Sequence, residues 1–233
     1  MNARRQPPQQ PPPVQKLRLR YAKRGAARFT SHCDFSRALE RALRRADVPM
    51  AYSSGFNPHP RISYANAAPT SAASEAEYVE LGLAERCDPT KVVEALNDSL
   101  PRGFVVLDAA DAVPASLGEL LEVSDWEVEL DGVDEAALAR AVSAFLAEES
   151  HEVERLTKRG MRRFDARGAT LACQVVGGRL RIRIRHETPL VRPDDVVAAL
   201  RMLEPGIAQH PLLRRLAQGP VEGDGIGDPL RPR

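Results

Sequence analysis

Cysteine is scarce in this 233-residue chain. Cys33, Cys87 and Cys173 lie far apart, with no CxxC pair. That spacing argues against a structural zinc site or an iron–sulfur cluster held by this chain alone. An odd thiol count without a signal fits a reducing cytoplasm, the expected location. Aromatics make up only 5% of the residues, too few for a platform that stacks many bases. No apolar run approaches the ~18 residues of a membrane span, so no membrane partner is expected. The first residues are polar and rich in Pro and Gln, unlike the apolar centre of a secretory signal. A Walker loop, GxGxxG and HExxH are all missing. His151, His186 and His210 are scattered, away from carboxylates at ligand spacing. Neither a metal nor a cofactor is expected.

Net charge is also nearly absent, at +1. That near-neutrality hides three blocks. Residues 1–65 hold 13 Lys/Arg and 3 Asp/Glu, a net of +10. Residues 66–150 hold 4 and 19, a net of −15, and residues 151–233 hold 16 and 10, a net of +6. If the two basic blocks meet in the fold they make a polyanion-binding face. The acidic run from Glu119 to Glu135 reads as a solvated face.

The pattern predicts an α+β fold of two tandem ferredoxin-like (βαββαβ) modules with extra hairpins. Residues 1–13 read as a disordered Pro/Gln-rich extension and residues 219–233 as a disordered tail. The first module is expected over 14–113 and the second over 114–218. Leu17, Leu19 and Tyr21 alternate with basic residues over a strand at 16–21, and residues 27–30 can return beside it as a hairpin. A helix capped by Asp34 follows, with Phe35, Ala38, Leu39, Ala42 and Leu43 on its buried stripe. Strands at 61–65, 78–83 and 104–109 and a helix at 89–100 complete the first half. The second half repeats the order, with hairpins turning at Lys158-Arg159-Gly160 and at Gly177-Gly178.

Three features carry candidate chemistry. The loop Tyr52-Ser53-Ser54-Gly55-Phe56-Asn57-Pro58-His59-Pro60-Arg61 is stiffened by its prolines, which push Asn57 and His59 out of the α region. Stiffness would hold His59 and Arg61 at a fixed spot. Gly55 permits a left-handed turn, and the N–H groups around 53–56 can form an anion nest. Phe56 is placed either to stack on a base or to anchor the loop in the core. The second feature is Ser31-His32-Cys33-Asp34, where Asp34 or Ser31 caps the helix and His32 sits at its N-terminus, near any phosphate gathered there. The third is basic. Lys16, Arg18 and Arg20 share a strand face that Lys23, Arg24 and Arg28 extend, while Arg179, Arg181, Arg183 and Arg185 alternate on a later strand. Two such faces suit a phosphate backbone. The expected RNA contacts are Arg18, Arg20, Lys23, Arg24, Arg61, Arg181 and Arg183.

Several segments carry a family resemblance. They are Phe29-Thr30-Ser31-His32 with Asp34, Arg37-Ala38-Leu39-Glu40-Arg41-Ala42, the loop with Gly55-Phe56-Asn57-Pro58-His59-Pro60, and Glu75 with Glu77-Tyr78. Arg192-Pro193 with Val196, and Arg214-Arg215-Leu216 before Gly219, complete them. Together they resemble the bacterial radical-SAM-linked proteins, a domain of unknown function. The resemblance implies a partner fused to or encoded beside a radical S-adenosylmethionine protein, with genes near a ribonuclease of the E/G type. This chain lacks cluster cysteines, so it reads as the stand-alone version, with any radical chemistry on the other polypeptide.

The leading expectation is an accessory protein that binds RNA or presents a substrate to a separate radical-SAM enzyme, more a binder than a catalyst. One alternative is a metal-independent endoribonuclease using His32 or His59 as general acid/base. The other is a protein-interaction module without nucleic-acid binding.

Overall fold

The computed structural model describes residues 9–157, 160–207 and 210–232. The expected disorder of residues 1–8 and the turn residues Lys158 and Arg159 lie outside them. The fold is mixed α+β, in two compact units. The first holds residues up to Thr70, Ala76–Glu119 and the last four. The second holds Ser71–Glu75 and Leu120–Pro229. The boundary therefore falls after Glu119, rather than at 113, and each unit borrows a short segment from elsewhere in the chain. Among the described residues, no helix is long and apolar enough to cross a membrane.

The first unit runs β1 (Gln15–Lys23), α1 (His32–Arg45), β2 (Ile62–Ala65), β3 (Ala73–Leu83), α2 (Pro89–Ser99) and β4 (Phe104–Asp111). Its strands lie in the order β4-β1-β3-β2, and the first three residues of β3 belong to the second unit. Alternation on β1 sends Leu17, Leu19 and Tyr21 into a core shared with Phe35, Leu39 and Leu43 of α1 and with Val92 and Leu96 of α2. Tyr21 stacks on Phe35 at 4.4 Å, and Phe35 meets Phe104 at 4.8 Å. The apolar stripe of α1 is buried at each expected position.

Two local expectations are corrected. Ser31, not Asp34, caps α1. The Ser31 Oγ accepts the Asp34 N–H at 3.2 Å and donates to the Asp34 carboxylate at 2.7 Å. Ser31 has the extended backbone of a cap residue, whereas Asp34 already lies inside the helix. Residues 27–30 form no strand either. Gly25–Phe29 is a 3-10 turn, because β4 and β3 already flank β1 on both sides.

On β4, a bulge opposite Arg20 and Tyr21 shifts the register. The Asn97 side chain from α2 covers Val106 there, accepting its N–H at 2.8 Å and donating to its carbonyl at 2.9 Å. One amide thus satisfies both backbone groups of a strand at the sheet edge.

The second unit contains β5 (Val123–Glu129), α4 (Glu135–Ala147), β6 (Glu152–Thr157), β7 (Gly160–Asp165), β8 (Thr170–Val176), β9 (Arg179–Arg185), α6 (Pro193–Leu203) and β10 (Leu212–Gly219). Two four-residue helices, α3 (Leu117–Leu120) and α5 (Ala166–Ala169), lie at connections. Strands β10-β5-β9-β8 form a sheet, and β10 also pairs in parallel with Ala73 and Ser74 at the start of β3. β6 and β7 form a separate two-stranded sheet. Arg155 of that hairpin ties to the buried Asp195 of α6, donates to the Leu190 carbonyl at 3.1 Å, and lies 3.9 Å over the Phe164 ring. The chain after Gly219, read as a disordered tail, is described as a hairpin of β11 (Val221–Glu222) and β12 (Gly225–Ile226), and Leu230 is 1% exposed within the first unit.

A polar network lies inside the second unit. The His186 Nδ1–H donates to the Leu121 carbonyl at 2.6 Å, which leaves Nε2 to accept from Ser124 Oγ at 2.8 Å. Trp126 Nε1 donates to the same oxygen at 2.8 Å, and Arg215 lies over the Trp126 ring. Burial, with the Arg215 charge adding to it, holds the His186 imidazole below its ordinary value.

Two outcomes are expected. Asn97→Ala strands both backbone groups of Val106 and lowers the unfolding free energy by about 1–3 kcal/mol in urea titrations. For His186, the unfolded chain takes up a proton below about pH 6.5 that the folded chain resists. Its contribution is therefore complete above that pH and is lost as the pH falls. Thermal unfolding across the acid limb should show a shallower pH slope in His186→Gln than in the parent.

Candidate functional site

The loop at 53–60 is built from its base upward. Tyr52 pairs with Pro60 across the neck. The Ser53 N–H donates to the His59 carbonyl at 2.8 Å, and Ser53 Oγ accepts the His59 N–H at 3.0 Å. Arg61 Nε donates to the Tyr52 carbonyl at 3.1 Å, while the Arg61 backbone links Ala51 to Gly82 at 2.8 Å on each side. Four donors at the neck are thus used internally, and prolines stiffen the tip. The Ser53 N–H is spent on this closure, so an anion nest has one donor fewer than the sequence suggested. Gly55 takes φ +127° with open space around it. Phe56 does not anchor the loop: it is 68% exposed. Asn57 and His59 are exposed too. Gln10 of the Pro/Gln-rich start donates its N–H to Ser54 Oγ at 2.8 Å, and Pro13 lies so close to Gly82 that a Cβ there would sit 2.9 Å away.

His32 occupies the first turn of α1. Its ring meets Tyr64 of β2 edge-on at 4.7 Å. Burial holds the Tyr64 phenol above its ordinary value; Ser36 opposes this and the Glu40 charge adds to it. Among the described residues, no hydrogen bond, ion pair or ring contact joins residues 31–34 to residues 55–61. His32 and His59 are not brought together as an acid–base pair by any such contact. Cys33 is exposed, and burial pushes the Cys173 thiol up to about 12, well away from a nucleophile's range.

The strand arginines are on one face, as their alternation implies, but they meet carboxylates. Arg18 is 1% exposed and donates to Glu80 at 2.9 Å and to the carbonyls of Val113 and Ala115. Lys23 is 6% exposed and donates to the Pro69 carbonyl at 3.2 Å. Neither is an open phosphate contact. Arg20 is half-buried opposite Asp108, while Arg24 and Arg61 are exposed. In the second unit, Arg183 forks onto Asp125 at 2.7 and 2.8 Å, and Arg181 reaches Glu127 at 2.7 Å. Arg179 meets Glu127 and Glu129 at 3.3 and 3.1 Å. Three carboxylates of the acidic run are thus ion-pair partners of β9, with Glu127 largely covered and Glu129 still 44% exposed. A matching signal was present: Asp125, Glu127 and Glu129 alternate with the same period as the arginines.

Two recesses accompany these faces. One of about 410 Å³ lies on the β9 arginine face beside Asp125, Gln174 and Leu216. The other, of about 430 Å³, lies in the first unit beside Lys16, Arg18, Ser63 and Glu80. Burial alone would raise the Glu80 carboxyl, but hydrogen bonds from Lys16 and Arg18 outweigh it and hold the group below its ordinary value. Among the described residues, no group of three or more His, Cys, Asp or Glu is placed to hold a metal.

Comparison with the curated proteins gives no match. Among solved structures, a crystal structure of a Cbf5-Nop10-Gar1 complex aligns over 96% of this chain and 57% of its own, at 12% identity and a TM-score of 0.48. The crystal structure of an unknown protein from Galdieria sulphuraria aligns over 89% of this chain and 99% of its own, at 16% identity and a TM-score of 0.26. Both scores are too low for a shared fold to follow. A family model, in contrast, matches residues 16–193, which span β1, the loop, both units and the start of α6. The chain belongs to the family described as uncharacterized proteins conserved in bacteria (DUF2344).

Proposed function

We propose that this protein is a cytoplasmic accessory protein that binds RNA and presents it to a separate radical S-adenosylmethionine enzyme. The observation that carries the RNA reading is the closed neck and exposed tip of the 53–60 loop. A ring held in water by a stiff turn has little conformational freedom left to lose on stacking, which favours contact with an unpaired base. Phe29 adds a second such ring, 66% exposed, with the Arg28 guanidinium 5.8 Å from its centroid. Exposed Arg24, Arg37, Arg41 and Arg61 supply positive charge in the same unit.

On this reading recognition uses a few bases and loop cations, not the β9 arginines, whose charge is already matched by Asp125, Glu127 and Glu129. The radical-enzyme partner rests on the sequence resemblance. Both units also suit a ferredoxin-like reading. Setting the β6–β7 hairpin aside, β10-β5-β9-β8 repeats the order β4-β1-β3-β2.

The test is the affinity of a single-stranded RNA oligonucleotide, followed by fluorescence anisotropy over a range of salt. Phe56→Ala should weaken binding by roughly 1–3 kcal/mol with little change in salt slope. Arg181→Gln combined with Arg183→Gln should leave the affinity unchanged. An affinity indifferent to Phe56 and sensitive to the β9 pair removes the proposed RNA-binding surface. Retention of the radical enzyme after ribonuclease treatment, with no RNA affinity in the chain alone, favours the protein-interaction module instead.

A further inference from the structure

Arg18 offers three nitrogens, and the fold uses two. Nε donates to Glu80 at 2.9 Å, and Nη2 holds the carbonyls of Val113 and Ala115. Nη1 is buried without a hydrogen-bond partner, and so is Nε of Arg20, two residues along the same strand face. An unpaired buried donor on a charged group is costly and rarely left so. Arg18 is also a wall of the 430 Å³ cleft, together with Lys16, Ser63, Glu80 and part of segment 113–118. None of the 53–60 loop residues lines it.

The charges in that cleft do not cancel. Lys16 and Arg18 bring two positive charges, and both meet the single Glu80 carboxylate, at 3.0 and 2.9 Å. One positive charge remains. A singly charged oxyanion neutralises it, whereas a phosphate monoester near two negative charges would leave an excess beside Glu80. The cleft volume lies in the range of small-molecule sites. Shape separates the two singly charged candidates. The Nη1 donor has almost no accessible surface, so a ligand reaches it only when segment 113–118 shifts, and a slender head group needs the smaller shift. A terminal carboxylate is planar and carries one substituent; a phosphodiester is tetrahedral and carries two.

We propose that this cleft binds a small molecule through its terminal carboxylate. One carboxylate oxygen accepts from Arg18 Nη1, and Lys16 Nζ faces the other. Ser63, opposite Glu80 in the β2–β3 register, borders the site with its hydroxyl. Because Nη1 is enclosed, entry displaces segment 113–118, whose described side-chain ties to Arg18 are the two Nη2 hydrogen bonds.

The experiment titrates the full chain with benzoate, dimethyl phosphate and inorganic phosphate. Arginine side-chain N–H resonances and amide hydrogen exchange are the readouts. Benzoate should give saturable shifts of the Arg18 signals and altered exchange over 113–118. Lys16→Gln should weaken benzoate several-fold, and Arg18→Lys should abolish the benzoate-induced change in exchange over 113–118. Arg18 is buried, so Arg18→Lys can fail to fold; Lys16, with its side chain 60% exposed, then decides. Tighter binding of dimethyl phosphate than of benzoate overturns the proposal in favour of a phosphodiester. Absence of any saturable shift overturns it too, and leaves an internal water as the partner of Nη1.

Discussion

Glu80 stands between Lys16 and Arg18, and the polar face of the first unit depends on that three-way contact. A guanidinium inside a fold must be paired, because desolvation of the bare charge costs more than one fold can spare. Glu80 meets Nε, and two carbonyls of segment 113–118 meet Nη2. In this way a strand that would expose a basic face draws a neighbouring strand and a connecting segment over it. The same constraint acts independently on β9, where Asp125, Glu127 and Glu129 of β5 face the arginines. These more exposed pairs contribute less to stability, since water screens them. Their consequence is for function: charge matched across a sheet is not available to a polyanion.

The loop at 53–60 is governed by a different constraint. Proline removes backbone donors, and Ser53, His59 and Arg61 close the neck with internal hydrogen bonds. Nothing draws the tip inward, so Phe56 stays in water although its side chain is apolar. An exposed ring costs stability unless a ligand covers it, and a rigid mount keeps its position fixed. On the proposed readings the loop and the cleft would take different ligands: a flat apolar face at one, a narrow anionic group at the other.

Much of the local structure was legible. The stripe of Phe35, Ala38, Leu39, Ala42 and Leu43 placed α1 on the core, and Leu17, Leu19 and Tyr21 did so for β1. Helical and strand periods depend on near neighbours in sequence, so they survive folding. The cap of α1 was misassigned between Ser31 and Asp34, because both residue types cap helices and only the backbone angles decide. The 27–30 strand failed for a topological reason, since β1 already has both flanks occupied. The tail after Gly219 looked incapable of a core, yet Leu230 is buried and Arg231 reaches Asp108 at 2.7 Å. A single apolar side chain can be anchored by a surface formed elsewhere, and composition does not register that.

From the residue order alone came the α+β character, the alternation that puts basic side chains on one strand face, and the rigidity of the proline loop. These follow from bonds and sterics reaching only a few residues. Which carboxylate meets which arginine was settled only in three dimensions. Glu80 lies 62 residues from Arg18, and Asp125 lies 58 from Arg183. Electrostatic pairing acts through space, so strand order and register, not sequence distance, determined which charges are matched within the fold.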